Sequence, residues 1–281
     1  MPRHEFDKSS KWLIQHYGNA VLYLAGVRDV RRWRALQAEV VQPRRLPDGL
    51  LEVWLPGHKK PDHFLLEVAT YPEPRILDQA LDDLMLTYQQ LRHLPELLVV
   101  VLRPKGRARA EGNQEVQSRL GWSRLAGAWK VVELWTLPAE ELLAAGDVGL
   151  VPWVPLTQFA GPPSALLERC RQQIEQQAPQ GQKANLLAVS QVLARLRFPQ
   201  PDLLVLLGGK RVMIESPLIQ ELLAESKQEA IIEVLTGRFG TIPEDLTVRL
   251  RQVTNERQLK ELLRYTGVCP DLEAFRAKLP S

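Results

Sequence analysis

Apolar residues near the start recur with a helical period. Phe6, Leu13, Tyr17, Ala20 and Leu24 are spaced by seven, four, three and four, which puts them on one helical face. An arginine-rich run, Arg28-Asp29-Val30-Arg31-Arg32-Trp33-Arg34, follows. The pattern then changes. Ala35–Val41, Leu50–Leu55 and His63–Tyr71 are short apolar runs separated by turn-like Pro43–Gly49 and by Pro61, with Pro72 closing the last. They read as three strands, the third largely buried. Ile76–Leu94 lacks Pro and Gly and carries Ile76, Leu77, Ala80, Leu81, Leu84, Tyr88 and Leu91 at a 3.6 period, so it reads as a helix. Leu97–Leu102 reads as a buried strand, polar Arg103–Gly121 as an exposed loop, and Trp129–Leu137 as a further strand.

The order helix, three strands, helix, strand, loop, strand predicts an α/β core with a mixed central sheet, flanking helices and one crossover helix. Val151–Pro163 holds four prolines and reads as a linker. Beyond it, Ser164–Gln177, Lys183–Leu196, Leu218–Leu235 and Thr254–Tyr265 read as helices, with a sharp turn at Arg238–Asp245. The expected organisation is a core over 1–150, a linker over 151–163 and a helical C-terminal module over 164–281.

The composition suits a globular chain of 281 residues, with 45% apolar and 25% charged residues. No run approaches the roughly 18–20 apolar residues of a membrane span, and MPRHEFDKSS has no apolar leader. Cys170 and Cys269, 99 residues apart, make neither a disulfide framework nor a metal spacing, which fits a reducing cytoplasm. The net charge of +3 is uneven. Residues 1–130 hold 20 Lys and Arg against 15 Asp and Glu, which is compatible with a phosphate-bearing partner.

Several kinds of chemistry are excluded by motif. Gly208-Gly209-Lys210 has Leu204 where a phosphate loop needs its first Gly and Arg211 where it needs Ser or Thr. No Gly-x-Ser-x-Gly elbow occurs. The five histidines form no pair at metal-binding helical spacing, and Cys170 on its amphipathic helix reads as buried. What remains is a carboxylate pair. Asp48 precedes the strand Leu50–Leu55, and Glu67 sits inside the apolar Leu65-Leu66-Glu67-Val68-Ala69. A carboxylate in an apolar strand needs a cation or a donor. Two such groups on adjacent strands suit a hard cation, Mg²⁺ or Mn²⁺.

A helix, Pro47-Asp48 before a strand, Glu67-Val68-Ala69 on the next strand and a crossover helix, in that order, resemble the PD-(D/E)XK nuclease superfamily. More specifically the chain resembles the Rpn-like family of recombination-promoting nucleases, also described as transposase-like. Val99-Val100-Val101-Leu102-Arg103-Pro104, Val131–Leu137, Pro138–Leu143 and Gly149–Leu156 agree with that core. Arg238-Phe239-Gly240 and Ile242-Pro243-Glu244-Asp245 agree with a helical module that often follows it.

The resemblance implies a restriction-endonuclease-like core that hydrolyses DNA phosphodiesters with Mg²⁺ or Mn²⁺. It implies Asp48, Glu67 and the Val68 carbonyl as metal ligands, with Glu5 an added acidic one. The third motif position holds Ala69, where the superfamily has Lys and Rpn-like proteins often Gln. Arg75 and Gln79, at the start of the crossover helix, are the expected substitutes. The bland readings stand beside these: a Pro-Asp-Gly turn, a Glu67 neutralised by a structural cation, a helix-start Glu5, an exposed Arg75 and Gln79. The Arg28–Arg34, Lys59-Lys60 and Lys105–Arg109 groups are solvated faces or, in a nuclease, phosphate contacts. Trp12, Trp33, Trp54 and Trp129 read as core or interface residues. The partners expected are therefore DNA and no membrane, with a homo-oligomer left open. The alternative is a catalytically inactive DNA-binding or protein-interaction module of the same fold.

Overall fold

The computed structural model describes residues 4–36, 47–119 and 121–280, with residues 4–7 and Leu36 described by backbone only. The chain separates into two compact units, Met1–Gly209 and Lys210–Ser281.

The first unit is a mixed α/β structure. Helix α1 (His4–Leu24) leads into β1 (Arg32–Leu36), β2 (Gly49–Trp54) and β3 (Asp62–Ala69). Helix α2 (Arg75–Leu91) then crosses to β4 (Glu96–Val101). A hairpin of β5 (Asn113–Gln117) and β6 (Arg124–Ala128) precedes β7 (Lys130–Glu133). Five strands form one sheet in the order β1-β2-β3-β4-β7, and β5-β6 form a separate two-stranded sheet. β1, β2 and β3 run antiparallel, while β3, β4 and β7 are parallel. A parallel pair needs a long crossover, which α2 supplies.

Side chains alternate between the two faces of the sheet. Leu50, Leu65, Leu97, Val99 and Val101 pack with Ala80 and Leu84 of α2. On the other face α1 lies across β1–β3. There a Cβ built on Gly49 falls 2.3 Å from Ile14 Cγ2, and Ile14 is fully buried. Gly49→Ala should therefore cost roughly 1–3 kcal/mol through overpacking. A lowered urea midpoint with an unchanged slope is the expected measurement.

The Arg-rich run differs from its sequence reading. The first strand was expected at Ala35–Val41, but β1 begins at Arg32, and residues 37–46 lie outside the described residues. Arg34 stands opposite Glu52 in the register and is ion-paired with it, and the Arg32 guanidinium lies 4.8 Å from the Trp54 ring centroid. Arg28 stacks on Tyr23 at 3.5 Å. Charged residues on an edge strand also discourage further pairing. The expected loop Arg103–Gly121 contains β5. Its exposed residues show no apolar alternation, so the sequence carried no strand signal there.

After β7 come α3 (Ala139–Ala144), a 3₁₀ segment Val148–Leu156, α4 (Pro163–Gln177), α5 (Lys183–Ala194) and α6 (Pro201–Val205). The expected linker over 151–163 is here corrected. Every residue of Val148–Leu156 from Gly149 on is buried, and the segment packs against α1, α3, α4 and α5. Pro152 and Pro155 have no N–H to leave unpaired in this buried 3₁₀ run, and the apolar residues around them fill the core. The Asp147 carboxylate caps this segment by accepting from Gly149 N at 2.8 Å, and it also accepts from Asn19 Nδ2 at 2.8 Å. Cys170, as expected, is buried, and burial pushes its thiol up to about 12.

Helix α7 (Gly209–Glu215) begins at the division between the units, not at 164 as the module boundary was expected. The second unit continues with α8 (Pro217–Phe239), α9 (Glu244–Arg251), α10 (Glu256–Thr266) and α11 (Leu272–Lys278). Its core joins Ile231 and Leu235 of α8 to Leu246, Leu250, Leu259, Leu262 and Phe275. The Arg238 guanidinium donates to the carbonyls of Thr266 and Cys269, tying the end of α8 to the turn after α10. No helix among the described residues is long and apolar enough to cross a membrane.

Candidate active site

The pairing of β2 with β3 decides where the two acidic residues lie. Gly49 is opposite Leu66 and Leu50 opposite Leu65, so one further step sets Asp48 opposite Glu67, where the ladder ends. The hydrogen bonds follow that placement. Val68 N donates to Asp48 Oδ2 at 2.8 Å, and Asp48 N donates to Glu67 Oε1 at 3.3 Å. The N–H and C=O of one strand residue leave on the same edge. The Val68 carbonyl accordingly leaves toward Asp48, whereas Ala69 O turns to β4 and accepts from Leu102 N. Asp48 and Glu67 thus lie side by side at the open end of β2, linked through the backbone N–H groups of Val68 and Asp48.

Two helices complete the surroundings. Gln79, one turn into α2, donates from Nε2 to Glu67 Oε2 at 2.8 Å. Asp83, four residues on, is buried and hydrogen-bonds to the Glu67 side chain. From α1, Lys11 Nζ lies 3.3 Å from Asp48 Oδ1, with its side chain 35% exposed. Lys11 is three residues before Ile14, the residue seated against Gly49, and this brings it to the neighbouring Asp48.

Burial drives the electrostatics. Glu67 is held well above the ordinary carboxylate range, first by desolvation, then by the charges of Asp48 and Asp83 and by its hydrogen bond with Asp83. A carboxyl raised in the folded state stabilises the fold below its unfolded pKa. That contribution is lost as pH rises toward the folded pKa. Without metal, Glu67→Gln should therefore raise the melting temperature at pH 8 and change it little at pH 4. Thermal melts in chelator at the two pH values measure the difference.

Paired carboxylates are a donor type that Mg²⁺ accepts. Mg²⁺ takes one or two protein carboxylates and completes its shell with water and substrate phosphate. Two carboxylates lie side by side here, and the Glu67 carboxyl is raised first by burial and then by its acidic neighbours Asp48 and Asp83. Among the described residues no group of three or more His, Cys, Asp and Glu is able to hold a metal ion.

Of the expected site residues, Asp48, Glu67, Val68 and Gln79 are brought together. Arg75 is not, because it stands at the exposed first residue of α2, 56% exposed, and pairs with Glu73 at 2.9 Å. Glu5 belongs to α1, and its side chain lies outside the described residues. Asp83 and Lys11 were missed. Asp83 had a signal: with Ile76, Ala80 and Thr87 it keeps the four-three-four spacing of one buried helical stripe. Lys11 had none, since a lone lysine on a helix is ordinary. The fold also joins two histidines that sequence spacing kept apart, His63 Nδ1 and His93 Nε2 at 2.7 Å on the surface.

No protein-family model matches this chain, and no curated protein or solved structure matches it either.

Proposed function

We propose that the first unit is a restriction-endonuclease-like core that hydrolyses DNA phosphodiester bonds with Mg²⁺ or Mn²⁺. The observation carrying this reading is the juxtaposition of Asp48 and Glu67 at one strand end. The strand order, with an antiparallel β1–β3 meander followed by the α2 crossover, supports it.

Asp48, Glu67 and the Val68 carbonyl are the residues that would hold the ion. When bound, it supplies polarisation of a phosphoryl oxygen and a lowered pKa for a coordinated water. Gln79 fixes the orientation of the Glu67 carboxylate through Oε2. Asp83, buried and hydrogen-bonded to the Glu67 side chain, adds to the cost of ionising Glu67 that a bound cation would offset. Ala69 leaves no cation on β3, and Lys11, reaching in from α1, places one beside Asp48 instead. Its ammonium is positioned to neutralise the charge that develops on a phosphate.

The test incubates the full chain with supercoiled plasmid in Mg²⁺, in Mn²⁺ and in chelator. Nicked and linear products with either metal and none in chelator are expected. Intact plasmid with both metals, together with no heat of Mg²⁺ binding by calorimetry, overturns the reading. A second reading, a non-catalytic DNA-binding module, is favoured by Ala69 and predicts DNA affinity without cleavage.

A further inference from the structure

The largest anomaly on the surface is Trp122. It is 87% exposed, more than any other large apolar side chain among the described residues. Tryptophan is ordinarily well buried, so an exposed one calls for a partner. It sits at the tip of the β5–β6 ribbon, where Ser118 N donates to Ser123 O at 2.8 Å and Ser123 N to Ser118 Oγ at 3.0 Å. Val116 and Leu125 are cross-strand partners below it and are also exposed.

Charge concentrates in the stretch of chain that carries the ribbon. Residues 105–130 carry six basic side chains (Lys105, Arg107, Arg109, Arg119, Arg124 and Lys130) against Glu111 and Glu115. That is a net +4 in a chain whose total is +3, so the remainder is slightly acidic. All six are exposed. Arg119 and Arg124 flank the tip, whereas Lys105, Arg107 and Arg109 precede β5 and Lys130 opens β7. The ribbon spans roughly 17 Å at 3.4 Å per residue, enough to track several phosphates. Ion pairs with Glu73, Glu133 and Glu115 occupy Lys105, Arg109 and Arg124. These are surface pairs that a phosphate can displace.

The ribbon is anchored beside the candidate site. Gln114 of β5 donates to Asp78 Oδ1 at 3.2 Å, and Asp78 adjoins Gln79, the residue that holds Glu67. Gly127 of β6 packs on Leu81 and Leu84 of α2. The base is thus fixed by α2, while the tip has no place in the five-stranded sheet. A two-stranded ribbon also fits the roughly 12 Å major groove of duplex DNA.

We infer that the β5–β6 ribbon is a DNA-docking element, with Trp122 stacking on or wedging between bases and Arg119 and Arg124 holding flanking phosphates. The choice of DNA rests on the nuclease reading, and the charge and exposure do not. The test measures anisotropy of a short fluorescein-labelled duplex with the full chain in chelator, so cleavage plays no part. Trp122→Ala should weaken binding ~5- to 100-fold, the range for loss of one stacked base. Trp122→Phe should keep most of the affinity. Arg119→Ala with Arg124→Ala should lower the salt slope by about two. Unchanged affinity in Trp122→Ala overturns the inference, as does wild-type binding to anionic lipid vesicles with none to DNA. Trp122-dependent binding by a chain that cleaves nothing supports the ribbon and removes only the catalytic reading.

Discussion

Asp48→Asn should abolish metal-dependent cleavage while leaving the fold intact. The asparagine carbonyl can still accept from Val68 N–H, so this half-buried donor keeps its partner, which Asp48→Ala would remove at ~1 kcal/mol. What is lost is one negative charge at the point where the ion would sit. Charge stabilisation by such an ion is worth several kcal/mol, so the rate should fall by at least ~10²–10³. Glu67→Gln should fall as far and should melt higher than wild type at pH 8 in chelator, because it removes a carboxyl that burial penalises. A gain in stability with a loss of activity is the signature of a site kept for chemistry. Full cleavage by either variant would remove Asp48 and Glu67 from the mechanism. Plasmid nicking and duplex cleavage over a Mg²⁺ series are the assays.

The strands flanking that site were legible because they are buried. Leu50–Leu55, His63–Tyr71 and Leu97–Leu102 match β2, β3 and β4 to within two residues at each end, since burial on both faces forces continuous apolar runs. Glu67 stood out for the same reason, as a charge inside an apolar run, and Asp48 was singled out only by its place just before the neighbouring strand. Features set by exposure or by tertiary approach gave no such signal. β5 and β6 are largely exposed and lie outside the main sheet. Lys11 reaches Asp48 only because a glycine lets α1 settle on β2. Arg75 and Gln79 looked equivalent in sequence, and one helical turn separates the exposed residue from the one that touches Glu67. Short helices such as α6 and α11 hold too few residues for a period to show.

Proline content misled most at Val148–Leu156, and that segment gives the largest stability effect expected. A linker tryptophan can be truncated within about 0.5 kcal/mol. Trp153 instead is fully buried, in a stretch whose neighbours Leu150, Val151 and Val154 are also fully buried. Trp153→Ala should cost ~3–5 kcal/mol, as deletion of a buried aromatic does. At ~2–4 °C per kcal/mol for a unit of this size, the melting temperature of the first unit should drop by roughly 6–20 °C. The indole N–H has no acceptor among the described residues. Trp153→Phe removes that buried orphan along with part of the ring, so it should cost clearly less than the alanine change. Calorimetry resolves the two units if they melt apart. The Lys210–Ser281 transition should hold its position, because its core of α8–α11 side chains does not include Trp153. A shift below about 2 °C in Trp153→Ala would return the segment to a linker. The close approach of α1 to this segment, where a Cβ on Gly149 would lie 2.6 Å from the Tyr17 ring, argues for the larger effect.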